Sequence, residues 1–178
     1  YEGSPTPITA YLSVAPKAAG FALMIRFFNQ VFVNGDSLGS LGWYADVSFA
    51  WPQILGVVSV ITMTMGNLVA IQQDSVKRML AYSTISHVGF VLLGFMTGVL
   101  EGYGSAVFYV LAYILLSLAA FGSIIALNRN GFEADQVSDF KGLSKHSPWF
   151  ALIMLVVMLS MAGVPPFIGF YSKLFILQ

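Results

Sequence analysis

Long apolar stretches alternate with short polar segments along the whole chain, and this alternation predicts a bundle of membrane-spanning helices. A helix rises about 1.5 Å per residue, so about 20 apolar residues cross a hydrocarbon layer of about 30 Å. Stretches of that length cover residues 8–33, 47–72, 76–100, 105–127 and 148–178. We therefore predict an all-α integral membrane protein, a polytopic bundle of about five transmembrane helices in one membrane domain over residues 1–178.

The last apolar stretch contains a break. Gly163 stands two positions before Pro165, and Pro166 follows directly. Proline has no backbone N–H and its ring clashes with the preceding turn, so two successive prolines interrupt a helix. Transporters place ion sites at such breaks, where protein or a cavity satisfies the freed backbone groups. We predict that the fifth helix is broken between Gly163 and Pro166.

The polar connections set the expected orientation. A glycine-rich linker at 34–46 and a tight connection at 101–104 share one side of the membrane, and a turn at 73–78 and the longest polar loop, 128–147, share the other. The second side carries most of the basic residues near the connections: Lys77, Arg78, Arg129, Lys141 and Lys145, against Arg26 on the first side. Since lysine and arginine are enriched in cytoplasmic loops, the second side is predicted to face the cytoplasm or the mitochondrial matrix.

Composition agrees with a membrane environment. The chain of 178 residues is 57% hydrophobic and 9% charged, with a mean hydropathy of +0.80. A soluble domain has about 25% charged residues, so this chain must be solvated largely by lipid. Its zero net charge gives no electrostatic reason to bind nucleic acid. The absence of cysteine excludes disulfides and iron–sulfur clusters held by this chain, and only two histidines, His87 and His146, far apart in sequence, leave little support for a metal site.

Both ends of the sequence suggest a longer protein. Tyr1 is not an initiator methionine, and the last residues lie inside an apolar run without a helix stop signal. We expect a fragment, or one half of a split subunit.

Lys17 is the ionisable side chain that stands out most clearly. It lies well inside the first apolar stretch and follows Pro16, which cannot donate to the carbonyl of Leu12 and should kink the helix. An ionisable group at membrane depth is costly, and by default it indicates a proton or ion path. The alternative is a lysine that only anchors the helix by extending towards the surface, which is harder from more than two turns inside the stretch.

Three further residues invite a functional interpretation, each with a simpler alternative. His87 lies four residues after Ser83 on the same helical face, so it is either a proton relay held by a hydroxyl or a packing histidine. Lys173 follows the helix break by about two turns and is either a terminal proton acceptor or a lysine at the membrane edge. Lys77 is most simply a surface charge that sets topology.

Several motifs together resemble one known family. They are YEGSPTP at 1–7 before the Pro16–Lys17 helix, GNL at 66–68, VKRMLAYS at 76–83, SHVG at 86–89, and AGVPP at 162–166 followed by Gly169, Phe170 and Lys173. In this order they resemble the proton-translocating subunit N (subunit 2) family of complex I-type NADH:quinone oxidoreductases over nearly the whole chain. The run at 77–83 is shared with the subunit L and M paralogues and with multisubunit cation/proton antiporters.

The resemblance implies that the chain is the middle-to-late part of a subunit with about fourteen helices. It implies that Lys17 is the central-axis lysine, that His87 lies on the same hydrophilic axis, and that Lys173 is the lysine of the broken helix on the exit side. It also implies that Lys77 is a further basic residue towards the cytoplasm. We name as supporting residues Pro16, Ser83, Gly163, Pro165 and Pro166.

The function expected from this resemblance is proton translocation coupled to electron transfer elsewhere in complex I, in a chain with no redox or catalytic centre of its own. NADH, flavin, iron–sulfur clusters and quinone would belong to partner subunits. The expected partners are other membrane-arm subunits, lipids and the remaining part of the same subunit. The expected location is the bacterial plasma membrane, with the thylakoid and mitochondrial inner membranes as alternatives. Two other functions stay open: a subunit of a multisubunit cation/proton antiporter, and a structural scaffold whose lysines are unused.

Overall fold

Apolar helices make up most of the structure, a computed structural model that describes residues 4–31, 50–128 and 135–178. The elements in chain order are α1 (Thr6–Val31), α2 (Trp51–Ile71), α3 (Val76–Met96), α4 (Leu100–Leu127), a 3₁₀ turn (Val137–Phe140), α5 (Leu143–His146), α6 (Pro148–Ala162) and α7 (Ile168–Leu177). Helices α1 to α4 are each long and apolar enough to cross a membrane, and α6 and α7 are shorter apolar helices on either side of the break. The prediction of an all-α integral membrane fold, with a last helix broken after Ala162, is confirmed.

Helices α2 and α3 form a closely packed antiparallel pair. A side chain at Gly66 would lie 2.6 Å from the backbone nitrogen of Ser86, and one at Gly89 would lie 2.9 Å from the carbonyl oxygen of Ser59. The Ser59 hydroxyl also donates to the Gly89 carbonyl at 2.6 Å. Small residues that allow close backbone approach, joined by hydroxyl hydrogen bonds, are the usual means of packing helices in lipid. This packing holds α3, which carries His87, against a rigid neighbour.

Helix α4 lies at the centre of the described bundle, in contact with α1, α3, α6 and α7. One apolar cluster around Phe95 and Tyr109 joins α4 to α1, α2, α3 and α7, and a second around Phe121 and Ile124 joins it to α1, α3 and α6. The central helix therefore separates the first helix of the chain from the broken pair α6–α7. Helix α3 also contacts both α1 and α7, so α3 and α4 together connect the two ends of the described bundle.

The prediction of a connection between helices at 101–104 is wrong. Helix α3 already ends at Met96, and α4 begins at Leu100, so these residues form the first turn of α4. The actual turn uses Gly98, whose φ of 64° suits glycine. Gly102 has another purpose, because a side chain there would overlap Thr97 and come within 2.6 Å of the Gly94 carbonyl oxygen. Gly102 permits the close packing of α3 and α4, and in the sequence it looks the same as a turn glycine.

Residues 135–137 of the predicted polar loop at 128–147 pair with the start of α3. The Val76 N–H donates to the Asp135 carbonyl at 2.7 Å, and the Val137 N–H donates to the Asp74 carbonyl at 2.9 Å. The 3₁₀ turn and α5 follow within the same segment. The predicted linker at 34–46 and part of this loop, 129–134 with Arg129, lie outside the described residues.

Candidate functional site

Lys17 lies on the inner face of α1 and reaches across to α3. Buried positions on α1 recur at helical spacing: Thr6, Thr9, Ala10, Ser13, Phe21 and Phe28. Lys17 falls on this face four residues after Ser13, and its ammonium group donates to the hydroxyl of Thr84, which is buried on α3. The Thr84 hydroxyl in turn donates to the Ala81 carbonyl at 2.6 Å. The lysine charge is therefore directed into the bundle, and α1 continues as one helix through Pro16.

His87 is held by α4, not by Ser83 as the spacing suggested. Its Nδ1 lies 2.7 Å from the hydroxyl of Tyr109, within hydrogen-bonding distance. The Ser83 hydroxyl donates instead to the Leu80 carbonyl at 2.8 Å, as serine commonly does in a helix. The ring of Tyr113 packs beside the imidazole with a centroid distance of 4.9 Å. The prediction that the Ser83 hydroxyl holds His87 is therefore wrong, because the hydroxyl beside the imidazole comes from Tyr109 on α4.

Lys173 lies in α7, and its side chain reaches back to the break between α6 and α7. Helix α6 ends with Gly163 at φ 86°, and the N–H groups of Gly163 and Val164 donate to the Ser160 and Leu159 carbonyls at 3.0 and 3.1 Å. This glycine cap leaves the carbonyls of the last two helical residues without intrahelical donors. The Lys173 ammonium donates to both of them, to Met161 at 3.1 Å and to Ala162 at 2.9 Å.

The surroundings of Lys173 are adapted to its side chain. Its ammonium group lies 5.2 Å from the centre of the Phe90 ring, a favourable cation–π distance. A side chain at Gly163 would come within 2.9 Å of the Lys173 Cδ, so the glycine provides both the left-handed cap and the space for the lysine. Pro165 and Pro166 follow the cap and separate it from Ile168, where α7 begins.

Two small cavities flank His87, each of about 10 Å³, which is about the smallest space that accommodates one water molecule. The first includes Lys17 and Thr84 in its lining, and the second includes Ser160, Ser172 and Lys173. Both are lined by the same three aromatic side chains, those of His87, Tyr109 and Tyr113. These three rings therefore form the partition between a cavity beside Lys17 and a cavity beside Lys173.

A larger cavity of about 400 Å³ shares His87, Met161 and Lys173 with the second one. Its lining includes His87 and Lys173 together with the polar side chains of Asn67, Ser83 and Ser86. His87 therefore lines all three cavities.

The structure does not bring Lys77 into this arrangement. Lys77 lies in the first turn of α3 and is only 6% exposed, so it is not the exposed surface charge that the sequence suggested. The residues described as lining the three cavities above do not include it. The segment of 135–137 that pairs with the start of α3 covers this end of the helix.

The whole chain, residues 1–178, matches the family described as the transmembrane part of NADH:quinone oxidoreductase and Mrp antiporters. The chain belongs to this family. It is 55% identical to NADH-quinone oxidoreductase subunit N of Ruthia magnifica subsp. Calyptogena magnifica and 50% identical to that of Nitrosomonas europaea, in each case over 100% of this chain and 34% of the relative. The chain thus spans about a third of the length of these relatives.

Solved structures agree with this membership of the NADH:quinone oxidoreductase/Mrp antiporter family. The chain resembles a chain of respiratory complex I from Thermus thermophilus with a TM-score of 0.75 and 31% identity, covering 99% of this chain and 35% of the other. It resembles a chain of the membrane-bound sulfane sulfur reductase, an archaeal respiratory membrane complex, with a TM-score of 0.79 and 28% identity, covering 98% and 33%. The fold is therefore one found in respiratory membrane complexes.

Three residues that contact Lys17 or His87 are not among the site residues predicted from the sequence: Thr84, Tyr109 and Tyr113. Thr84 carried a usable signal, because it lies three residues before His87 and so on the same face of α3. Tyr109 and Tyr113 are one turn apart on α4, but tyrosines at helical spacing are ordinary packing residues. Their link to His87 depends on how α3 and α4 pack.

Replacing Thr84 with valine tests the contact with Lys17. The change keeps the shape of the side chain and removes the acceptor of the Lys17 hydrogen bond. We expect the midpoint of thermal unfolding to fall, because a hydrogen bond to a charged group contributes about 1.5–3 kcal/mol to stability. Ser83→Ala on the same helix is the control, since Ser83 bonds to its own helix. An unchanged midpoint in Thr84→Val would show that this contact does not stabilise the packing of α1 on α3.

Proposed function

We propose that this chain is part of a proton-translocating membrane subunit of a complex I-type NADH:quinone oxidoreductase, with Lys17, His87 and Lys173 as its proton-transfer groups. The observation that carries the proposal is the pair of water-sized cavities that flank His87 and separate it from the two lysines. Protons move between separated side chains through water and titratable groups, and ionisable residues inside a membrane commonly mark a proton path. The supporting residues in this proposal are Pro16 beside Lys17, then Gly163, Pro165 and Pro166 at the break between α6 and α7, and Ser83, which lines the larger cavity.

The proposed transfer moves one proton from Lys17 to Lys173. The Lys17 ammonium loses a proton to water in the first cavity, His87 accepts a proton from that side and releases one to the second cavity, and the neutral amine of Lys173 takes it up. A neutral amine keeps two N–H donors, so Lys173 has one for each of the Met161 and Ala162 carbonyls in either charge state. The proton then leaves Lys173 through water in the adjoining cavity of about 400 Å³. Lys77, outside these cavities, would act as a further basic group towards the cytoplasmic side.

In this proposal electron transfer takes place in partner subunits. The sequence has no cysteine and therefore no thiolate to hold an iron–sulfur cluster. We assign iron–sulfur clusters, NADH, flavin and quinone to those partners, as the resemblance to complex I subunits implies. The partners are other membrane-arm subunits, lipids and the rest of the same subunit, of which this chain would be one membrane domain. Because the relatives named above are bacterial, the proposed location is the bacterial plasma membrane.

Lys173→Met tests this function in the full-length subunit. Methionine keeps an apolar side chain of similar length but cannot carry a proton, so NADH-driven proton uptake into proteoliposomes should fall by about tenfold or more. Lys145→Met, at an exposed lysine of α5, is the matched control. The family also includes Mrp antiporters. Repeating the measurement without sodium distinguishes NADH-driven proton pumping from transport by a cation/proton antiporter. Normal pumping by Lys173→Met, or transport that requires sodium and not NADH, would contradict the proposal.

A further inference from the structure

The partition between the two small cavities contains one hydrogen bond that joins a helix α3 side chain to a helix α4 side chain. It connects the Tyr109 hydroxyl to Nδ1 of His87 at 2.7 Å. Tyr109 is 2% exposed, and its side chain lines the cavity beside Lys17 as well as the cavity beside Lys173. A tyrosine hydroxyl can donate one hydrogen bond and accept others at the same time. The bond therefore lies where a proton must cross from one cavity to the other.

We propose that Tyr109 is a proton-relay residue that delivers protons from the Lys17 side to His87. This rests on the proposed function and adds a specific route to it. The phenol need not ionise, because it receives a proton on its oxygen as it gives up its own. Its role is to connect the cavity water to His87 Nδ1 and to orient the imidazole ring while the proton is transferred.

The step balances in atoms and charge. Water beside Lys17 gives a proton to the Tyr109 oxygen while the Tyr109 O–H proton moves along the hydrogen bond to Nδ1. The ring then carries protons on both nitrogens and releases the Nε2 proton to water beside Lys173. Tyr109 ends with its hydroxyl intact, and His87 ends with its proton on Nδ1. Before the next proton passes, a half-turn of the imidazole about its Cβ–Cγ bond exchanges the two nitrogens, so that the unprotonated nitrogen again faces the Tyr109 hydroxyl.

The packing around the ring favours this single route. Tyr113 packs beside the imidazole at 4.9 Å, and Phe90 packs on Tyr109 with ring centres 5.9 Å apart and an interplanar angle of 18°. These rings fill the space around the hydrogen bond, and each adjoining cavity has room for about one water molecule. A continuous file of water past His87 would have to displace them. Proton transfer through the Tyr109–His87 bond requires no such movement.

The test is Tyr109→Phe in the full-length subunit within the assembled complex. The change removes one oxygen atom and keeps the ring that packs against His87 and Phe90. We expect the rate of NADH-driven proton uptake per assembled complex to fall about tenfold, as expected for the loss of a positioned proton donor. Tyr103→Phe is the matched control, because it removes a buried hydroxyl from the same helix at a position that lines neither cavity, and it leaves the Tyr109–His87 hydrogen bond in place; it should keep most of the pumping rate.

A second measurement separates a relay from a structural role. If Tyr109 acts through His87, adding Tyr109→Phe to His87→Gln should lower pumping no further, since both changes interrupt the same step. Additive losses, or normal pumping by Tyr109→Phe, would overturn the relay. If Tyr109→Phe pumps normally while Lys17→Ala and Lys173→Met do not, only the relay is wrong. If all three variants pump normally, the proposed function is wrong as well.

Discussion

Lys17→Ala should abolish most proton pumping while the complex still assembles. The change removes the titratable group at one end of the arrangement and leaves the cavity beside Thr84 and His87 without its proton donor. We expect NADH-driven proton uptake to fall by about tenfold or more, because positioned proton-transfer groups contribute at least about a hundredfold in comparable reactions. Quinone reduction should slow with it if the two processes are tightly coupled. The measurement is proton uptake into membranes that contain the full-length subunit, divided by the amount of assembled complex.

Arg26→Ala is the control for this experiment, because it removes an exposed cation from the same helix. It should pump at close to the normal rate. A Lys17→Ala complex that assembles and pumps like the Arg26→Ala complex would show that the intramembrane lysine is structural. That outcome would favour the scaffold interpretation, in which the lysine only supports the packing of α1 on α3. The ammonium of Lys17 does contact buried Thr84, so the assembly measurement is essential.

The apolar helices could be predicted from the sequence because lipid exposure leaves a local signal in every stretch. Helix α2, for instance, is apolar almost throughout and exposes most of its residues, so no knowledge of its neighbours is needed to recognise it. The start of α4 could not be predicted in the same way. Gly102 and Gly104 suggest a turn, yet Gly102 is required by the close approach of α3, which is a tertiary contact. Local sequence does not distinguish a turn glycine from a packing glycine.

The charged members of the candidate site could be selected from the sequence, whereas their partners could not. Lys17, His87 and Lys173 are conspicuous because ionisable groups are rare at membrane depth. The hydroxyl groups that contact them, those of Thr84 and Tyr109, belong to residue types that are common in apolar helices. The arrangement becomes visible only when α1, α3, α4 and the broken pair α6–α7 are packed together. The reason that Gly163 and Lys173 occur together is likewise tertiary, since the cap of α6 leaves two carbonyls for the lysine.

Gly169→Ala should disrupt the junction of α6 and α7. A methyl group there would overlap the carbonyl oxygen of Ser160, and the Gly169 N–H donates to the Ser160 hydroxyl at 3.3 Å, so the two helices touch at this point. Backbone cannot move aside as a flexible side chain can, and such overpacking costs about 3 kcal/mol. Lys173 lies one turn further along α7, so separation of the helices would also draw its ammonium away from the carbonyls of Met161 and Ala162.

We therefore expect Gly169→Ala to lower both the thermal stability of the complex and its pumping, measured as the temperature of inactivation and as proton uptake per assembled complex. Gly104→Ala is the matched control, because a side chain at that exposed helical position meets no other atom within 4 Å. Alanine is the better helix former by roughly 0.5–1 kcal/mol, so this control should be neutral or slightly stabilising. Equal behaviour of the two variants would contradict the close packing of α6 on α7. A stable Gly169→Ala complex that has lost only pumping would instead place the effect at Lys173.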